Sequence, residues 1–380
     1  MRPYNVTRTS ISHNIMNPRD RYLALMGLAP TDIPHWEYLG CPDAETHITG
    51  IDFFEHPRLC RLRLSQLYPQ LNVDIPETDA PRPRPRLNLD QDSEGLSEAG
   101  RRVVRWADGV TFHWDFGRQF QTPEDVLAFS PLAHPDWTDS WIVTAWDYSS
   151  EDALYRRFRA HYPAEWGDNA PPESDAEVGT YQTMFMWPLL TFGWELFLET
   201  CLDPRFGRVM DEFAELNRRL FRAFARLPVN FVMCHDDIVN SRGPVCSPAW
   251  MRKHIFPRYE EFWSIVKAAG KEVIFITDGR ADAFVDDIFA CGARGILTEP
   301  YTDFKAIARR HENCFLAGEG DTRILARNNP EEIRAMVGRM LETSRMTGGY
   351  FMRVGNEFTW NTPPAAIKLY LDLCRDLAHR

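Results

Sequence analysis

The sequence predicts an α/β protein, specifically a (β/α)8 TIM barrel with an irregular N-terminal extension. From residue 227 onward, five short apolar segments are each followed by an amphipathic one, as in repeated strand–helix units. These apolar segments are nearly continuous, which indicates strands that are buried on both faces of a parallel sheet. No G-x-G-x-x-G motif follows an early strand, so a dinucleotide-binding sheet is the weaker alternative.

The 380 residues are expected to form one domain, because barrels of this class reach such a length. Residues 1–105 would form the N-terminal extension and first elements, and residues 106–380 the main barrel. In the first part, Pro18–Gly27 predicts a short helix and His35–Leu39 a strand, while the proline–arginine run 80–86 predicts an extended loop. Further strands are expected at Val110–Trp114, Trp141–Ala145 and Gln182–Met186.

The C-terminal units follow one another at regular intervals. Their strands are predicted at Asn230–His235, Glu272–Ile276, Gly295–Leu297, Phe315–Ala317 and Gly349–Val354. Ser247 and Pro248 open a helix as N-cap and first residue, and Pro257 is expected to kink that helix or split it in two.

Charge and composition exclude several classes of function. The net charge is −11 and the pI is near 5.5, without a basic stripe, so no nucleic-acid partner is expected. The sequence has neither an apolar run of about 18 residues nor the apolar core of a signal peptide, so we expect no membrane span. The eight cysteines include no C-x-x-C pair, which favours free thiols and a cytoplasmic location.

Carboxylates follow four consecutive predicted strands. Because parallel strands of a barrel end at one rim, Asp237, Asp278, Glu299 and Asp321 are expected to meet there, with Asn356 after the last strand. Like charges at such a site raise at least one pKa unless a cation lies between them. The candidate catalytic residues are therefore Asp237, Asp278 and Glu299. The alternative is that each carboxylate caps the helix that follows it.

His235 and Asp237 are two residues apart on a strand and so face the same side, whereas Cys234 and Asp236 face the other. His235, Asp237 and Asp278 could together bind a metal ion. The alternative is a histidine that is only hydrogen-bonded. Neither an H-x-H pair, a G-x-S-x-G motif nor a P-loop occurs, which disfavours the corresponding hydrolases and nucleotide-binding proteins.

Twelve tryptophans are present, and most are expected in the core. Some of them near strand ends would suit a flat or apolar substrate. The candidate substrate-binding residues are Trp114, Trp187, Asp321, Asn356 and Arg280.

Several of these segments together resemble the uroporphyrinogen decarboxylase superfamily, which includes corrinoid-dependent methyltransferases. The similar pieces are HDDIVNSRGPVCSPAWMRKHIFPRY (235–259), KAAGKEVIFITDGR (267–280), GARGILTEP (292–300), LAGEGDTRIL (316–325), NPEEIRAMV (329–337) and GGYFMRVGNEFTWNTPPAAI (348–367), with weaker matches at 114–126 and 17–27. The resemblance implies the barrel fold and leaves the activity open, because the superfamily is chemically diverse.

Two departures from the family pattern reduce the number of activities that the resemblance allows. The chain has Arg19-Asp20-Arg21-Tyr22 in place of the R-Q-A-G-R-Y motif of the decarboxylases, which argues against porphyrinogen decarboxylation. It has Ile276 and Asp278 where the thiol-activating methyltransferases carry the H-x-C motif that binds zinc. A zinc ion, if bound here, would have oxygen and nitrogen ligands instead of a thiolate.

The resemblance then implies a substrate-side methyltransferase, or demethylase, that moves a methyl group from a small methylated compound to a corrinoid protein. The alternative is a cofactor-independent decarboxylase or lyase, which would need a cation such as Arg280, Arg242 or Arg353 to hold the leaving carboxylate. A third reading, a binding protein without catalysis, conflicts with four carboxylates at one rim.

Overall fold

The computed structural model describes residues 17–69, 71–73, 75–82, 93–96, 102–106, 109–112, 120–133, 147–166, 170–179, 183–358 and 362–378. Trp114 and the strand expected at Trp141–Ala145 lie outside these residues. Within them, no helix is both long enough and apolar enough to cross a membrane.

Parallel strands form a (β/α)8 barrel in the described part of the chain. The barrel strands are β1 (Glu37–Tyr38), β2 (Leu71–Asn72), β3 (Asp175–Val178), β4 (Phe231–His235), β5 (Glu272–Thr277), β6 (Gly295–Thr298), β7 (Phe315–Ala317) and β8 (Gly349–Phe351).

Strand pairing follows chain order around the barrel. From β3 to β8, each strand pairs in parallel with the next one in this order. Strand β8 continues to β1 through parallel bridges of Met352 with His35 and of Phe358 with Leu39, and β1 pairs with β2. Between β2 and β3 the described residues show no ladder.

Helices follow the barrel strands or fill the connections between them. They span Pro18–Leu25, Pro42–Thr49, Pro57–Leu67, Pro123–Ala128, Glu151–Arg159, Met186–Phe192, Trp194–Thr200, Phe206–Ala225, Pro248–His254, Phe256–Ala268, Val285–Ala290, Phe304–Arg310, Thr322–Ala326, Pro330–Ser344 and Pro364–Leu377. Short 3-10 turns lie at Pro131–Ala133 and Ala164–Trp166.

Side chains along the barrel strands alternate between two cores. One set packs into a small cluster with Ala24 and Leu25 of the first helix, and its strand members are Phe231, Ile274, Leu297, Phe315, Ala317 and Phe351. The other set belongs to the large core shared with the surrounding helices, for example Val232, Val273 and Leu316. The first set therefore fills the barrel interior. Residues two positions further along the same strands extend this inward-facing row towards the carboxyl rim.

The strand expected at Val110–Trp114 is present in part but does not belong to the barrel, and the strand expected at Gln182–Met186 was wrong. Gly109–Phe112 is a strand, but it pairs antiparallel with Arg102–Trp106, which in turn pairs with Ser93–Leu96, outside the barrel. Met186 begins a helix, so no strand ends there. A short apolar run fits a buried strand and a buried helix equally well, and periodicity cannot separate them. The second and third strands of the barrel are instead Leu71–Asn72 and Asp175–Val178.

Candidate functional site

His235 and Asp237 lie together at the carboxyl end of β4. Nε2 of His235 is 3.2 Å from Oδ1 of Asp237, and Nδ1 of His235 is 3.5 Å from Oε1 of Glu177 on β3. Burial alone would lower the pKa of His235, but the two carboxylates outweigh it and raise this pKa well above its usual value. The histidine charge in turn outweighs burial at Asp237 and lowers the pKa of that carboxyl group.

Asp278 lies beside this pair at the end of β5. Its backbone N–H donates a hydrogen bond to Oδ1 of Asp237 (2.9 Å), and its carboxylate accepts one from Nδ2 of Asn356 (3.4 Å). Burial, together with the charges of Asp237 and Glu299, raises the pKa of Asp278 to about 7. The expectation of a raised pKa among the clustered carboxylates is thus met at Asp278.

Glu299 and Gly279 shape the loop next to Asp278. Oε2 of Glu299 accepts a hydrogen bond from the Gly279 backbone N–H (2.7 Å). Gly279 has a φ of 90°, and a Cβ atom there would lie 2.5 Å from the carbonyl carbon of Asn240. Only glycine fits this turn without strain, and the turn brings the rim loops after β4, β5 and β6 together.

Asp236 belongs to the opposite side of β4, as the alternation predicted. It is fully buried, and it accepts hydrogen bonds from the backbone N–H groups of Phe185 and Met186 and from the hydroxyl of Tyr259. Burial raises the pKa of Asp236 to about 6. This carboxylate therefore anchors the start of the helix Met186–Phe192 and is a structural residue.

Asp321 takes the capping role that was the alternative for all four carboxylates. Its side chain accepts a hydrogen bond from the Arg323 backbone N–H at the start of the helix Thr322–Ala326, and it also pairs with the Arg323 guanidinium. Asp278 differs from Asp321 in this respect. The helix after Asp278 begins at Val285 with Phe284 as N-cap and without a side-chain capping bond.

Trp187 is 2% exposed and packs against Tyr148 and Phe213 in the core. The burial of Trp187 gives no support to the prediction that it binds the substrate, and that prediction stays untested. Arg280 is exposed and pairs with Asp282, whereas Asn356 contacts Asp278 directly. Trp114 lies outside the described residues.

Sequence analysis missed Glu177 and did not single out Trp36 and Tyr38. Glu177 lies on the short strand β3, for which no apolar run gives a signal. The rings of Trp36 and Tyr38 both contact the guanidinium of Arg353, whose carbon is 4.2 Å and 5.3 Å from the two ring centroids. Arg353 was considered only as a cation for a decarboxylase. Its position two residues after the inward-facing Phe351 could have indicated that it faces the barrel interior.

The cluster fits a metal ion by its donor atoms. One ligand atom each of His235, Asp237 and Asp278 lie within 4.8 Å of one another. One imidazole nitrogen and two carboxylate oxygens form a donor set that suits zinc and similar divalent ions. A protonated histidine has no lone pair to offer, so metal binding here would release its proton.

Residues 203–377 match the model of the uroporphyrinogen decarboxylase (URO-D) family. The fold is similar to that of a methyltransferase from Methanosarcina mazei, with a TM-score of 0.56 and 14% sequence identity, over 94% of this chain and 98% of that one. No curated protein sequence matches the chain.

The fold and the rim of clustered carboxylates define an α/β-barrel protein with an enzyme-like site. The match over residues 203–377 confirms, for that part of the chain, the resemblance to the uroporphyrinogen decarboxylase superfamily that the sequence motifs predicted. At 14% identity, the solved structure bears on the fold alone.

Proposed function

We propose that this protein is a methyltransferase that moves a methyl group from a small methylated compound to a corrinoid protein. The observation that carries the proposal is the protonatable carboxyl group of Asp278, whose pKa is raised to about 7, beside the ion pair of His235 and Asp237. The name of the similar solved structure, a methyltransferase, agrees with this class.

Methyl transfer from an ether or an amine requires that the departing oxygen or nitrogen atom be stabilised, by a proton or by a Lewis acid. The bond between the methyl carbon and that oxygen or nitrogen breaks, and its electron pair stays on the departing atom. Asp278, half protonated near neutral pH, can donate the proton that this atom needs. The methyl acceptor supplies the electron pair of the new bond, so charge and electrons balance. Asp237 keeps His235 oriented and charged while Asp278 acts.

A divalent metal ion bound by His235, Asp237 and Asp278 would supply Lewis-acid polarisation of the same departing atom. Asp278 could not then serve as the proton donor, so the two modes are distinct. Metal analysis of the purified protein separates them. In the metal mode, removal of the ion with a chelator abolishes turnover and its return restores it.

The experiment for the function itself uses reduced cobalamin as a stand-in acceptor, and its methylation is followed by absorbance. Methyl ethers and methylated amines serve as donors. We expect methylation with at least one donor, and its loss in a variant with Asp278→Asn. Failure of every donor, with cobalamin competent in a control enzyme, would contradict the proposal.

A second candidate, a decarboxylase or lyase, draws support from the buried guanidinium of Arg353, which could hold a carboxylate. Release of carbon dioxide from a carboxylic acid, without any acceptor present, would favour it over methyl transfer.

A further inference from the structure

Arg353 is a buried cation without the partners that such a group normally has. Arg353 is 8% exposed, and neither its Nε nor its Nη1 atom has a hydrogen-bond partner. Arg21 and Arg294 also have a buried Nε without a partner, but each donates from Nη2 to a carboxylate, Asp175 and Glu272 respectively. Among the described residues, Arg353 has no such bond.

A buried guanidinium without hydrogen bonds is costly, because it has lost its water and gained nothing equivalent in return. The aromatic rings of Trp36 and Tyr38 compensate part of this loss through cation–π contact, but they accept no ordinary hydrogen bond. The N–H groups point outward in the guanidinium plane, and those of Nε and Nη1 meet no acceptor among the described residues. An anion in this plane would satisfy them.

The position of Arg353 places this edge near the candidate site. It lies two residues after Phe351, which packs in the barrel interior, and so faces the same interior one step closer to the rim. Its positive charge acts on Asp278, where it works against the rise of the pKa. The guanidinium and the reactive carboxyl group are therefore within electrostatic reach of each other.

We propose that Arg353, with Trp36 and Tyr38, forms a subsite for a carboxylate of the substrate, so that the methylated compound is a small carboxylic acid. This inference rests on the proposed methyl transfer and names its substrate class. A planar carboxylate can accept two parallel hydrogen bonds from the edge of a guanidinium. The rest of the acid would extend from Arg353 towards Asp278 and the other residues of the candidate site.

Binding to the purified protein tests the subsite without any need for turnover. Methoxyacetate and 4-methoxybenzoate are compared with their neutral amides by isothermal titration calorimetry at one ionic strength. We expect at least one acid to bind about tenfold or more tightly than its amide, because charge-assisted hydrogen bonds disappear in the amide. In Arg353→Met this preference should vanish, and in Arg353→Lys it should shrink. Arg252→Met, at an exposed arginine paired with Asp287, should keep the wild-type preference.

Loss of folding cannot mimic this result, because Met removes an unpaired buried charge and the melting temperature of Arg353→Met should be equal to or above that of the wild type. Equal binding of acid and amide, no binding of either acid, or inorganic phosphate competing as well as the acids would each overturn the carboxylate subsite. Methyl transfer from neutral ethers that is indifferent to Arg353→Met would overturn the subsite and leave the methyltransferase standing. Arg353-dependent binding of the acids without any methylation of cobalamin would support the carboxylate subsite and contradict the methyltransferase proposal.

Discussion

At the scale of single residues, Asp278 carries the chemistry of the site. Its carboxyl group is hydrogen-bonded to Asn356 and does not cap a helix, so the charge or proton of Asp278 has no evident structural task. We predict that Asp278→Asn lowers turnover on the order of a hundredfold or more, because an amide can neither donate an acidic proton nor bind a metal as a carboxylate does. Methylation of cobalamin and the circular dichroism spectrum of the same sample measure activity and folding.

A matched substitution elsewhere separates this effect from a general one. Asp286→Asn makes the same chemical change at an exposed aspartate that pairs with Arg310 and His311, and it should leave turnover within about twofold of the wild type. Full activity of Asp278→Asn would assign Asp278 a purely structural role.

The residues of the site were predictable to the extent that they follow long apolar strands. Asp237, Asp278 and Glu299 come directly after such strands, and parallel topology alone brings their ends to one rim. Glu177 and Trp36 lie on strands too short to give a pattern. The cap at Asp321 could not be told from a site residue, because an aspartate after a strand has the same sequence signature in both roles.

At the scale of elements, Asp236 links the strand β4 to the helix Met186–Phe192. A carboxylate accepts the hydrogen bonds of the two backbone N–H groups and of the tyrosine hydroxyl, whereas an asparagine would turn an NH2 group towards a backbone N–H. We predict that Asp236→Asn lowers the free energy of unfolding by about 1–3 kcal/mol. Urea denaturation at pH 7 measures this loss, and an unchanged midpoint would show that the anchor is dispensable.

The same residue predicts a pH dependence of stability. The pKa of Asp236 is about 6 in the folded protein and 3.8 without the fold, so the folded state binds a proton more readily between these values. The component of stability that comes from this proton uptake is therefore complete below about pH 4 and is lost as the pH rises through about 6, whereas the hydrogen bonds to the backbone remain. Asp236→Asn should remove this component from the pH profile of the denaturation midpoint, and a profile identical to that of the wild type would contradict it.

The turn at Gly279 is a second element on which the site depends. In Gly279→Ala the new methyl group would meet the Asn240 backbone at 2.5 Å in an unfavourable conformation, so the loop of Asp278 and the loop of Asn240 must move apart. We predict a lower melting temperature and a loss of turnover. Gly338→Ala, inside a helix with open space around it, should be neutral or slightly stabilising. Equal behaviour of the two variants would remove the argument for a strained turn.

Element prediction succeeded where local signals were redundant. Ser247 caps the helix that Pro248 opens, and the helix expected to break at Pro257 is divided into Pro248–His254 and Phe256–Ala268. The first three barrel strands have two to four residues each, and their pairing is decided by distant partners that no local pattern reveals.

At the scale of the whole molecule, the barrel depends on a junction between its first and last strands. Glu37 on β1 is buried, and its Oε1 accepts hydrogen bonds from the Val354 backbone N–H (2.9 Å) and from the hydroxyl of Tyr370 (2.7 Å) in the C-terminal helix. The backbone N–H of Ile33 also donates to the carbonyl of Ala378 (2.8 Å). Residues more than 300 positions apart in sequence are thereby joined.

This junction makes the stability of the two ends of the chain interdependent. Glu37→Ala leaves a buried backbone N–H and a buried tyrosine hydroxyl without an acceptor and creates a small cavity, at a cost of about 2–4 kcal/mol. We predict that urea unfolding of this variant remains a single transition with a lower midpoint, because loss of the junction weakens the barrel as one unit. Glu199→Ala, at an exposed helical position, should leave the midpoint nearly unchanged. If the variant instead unfolds in two steps, with the segment around β1 released first, then the first strands are an appendage and the six-stranded sheet from β3 to β8 is stable without them.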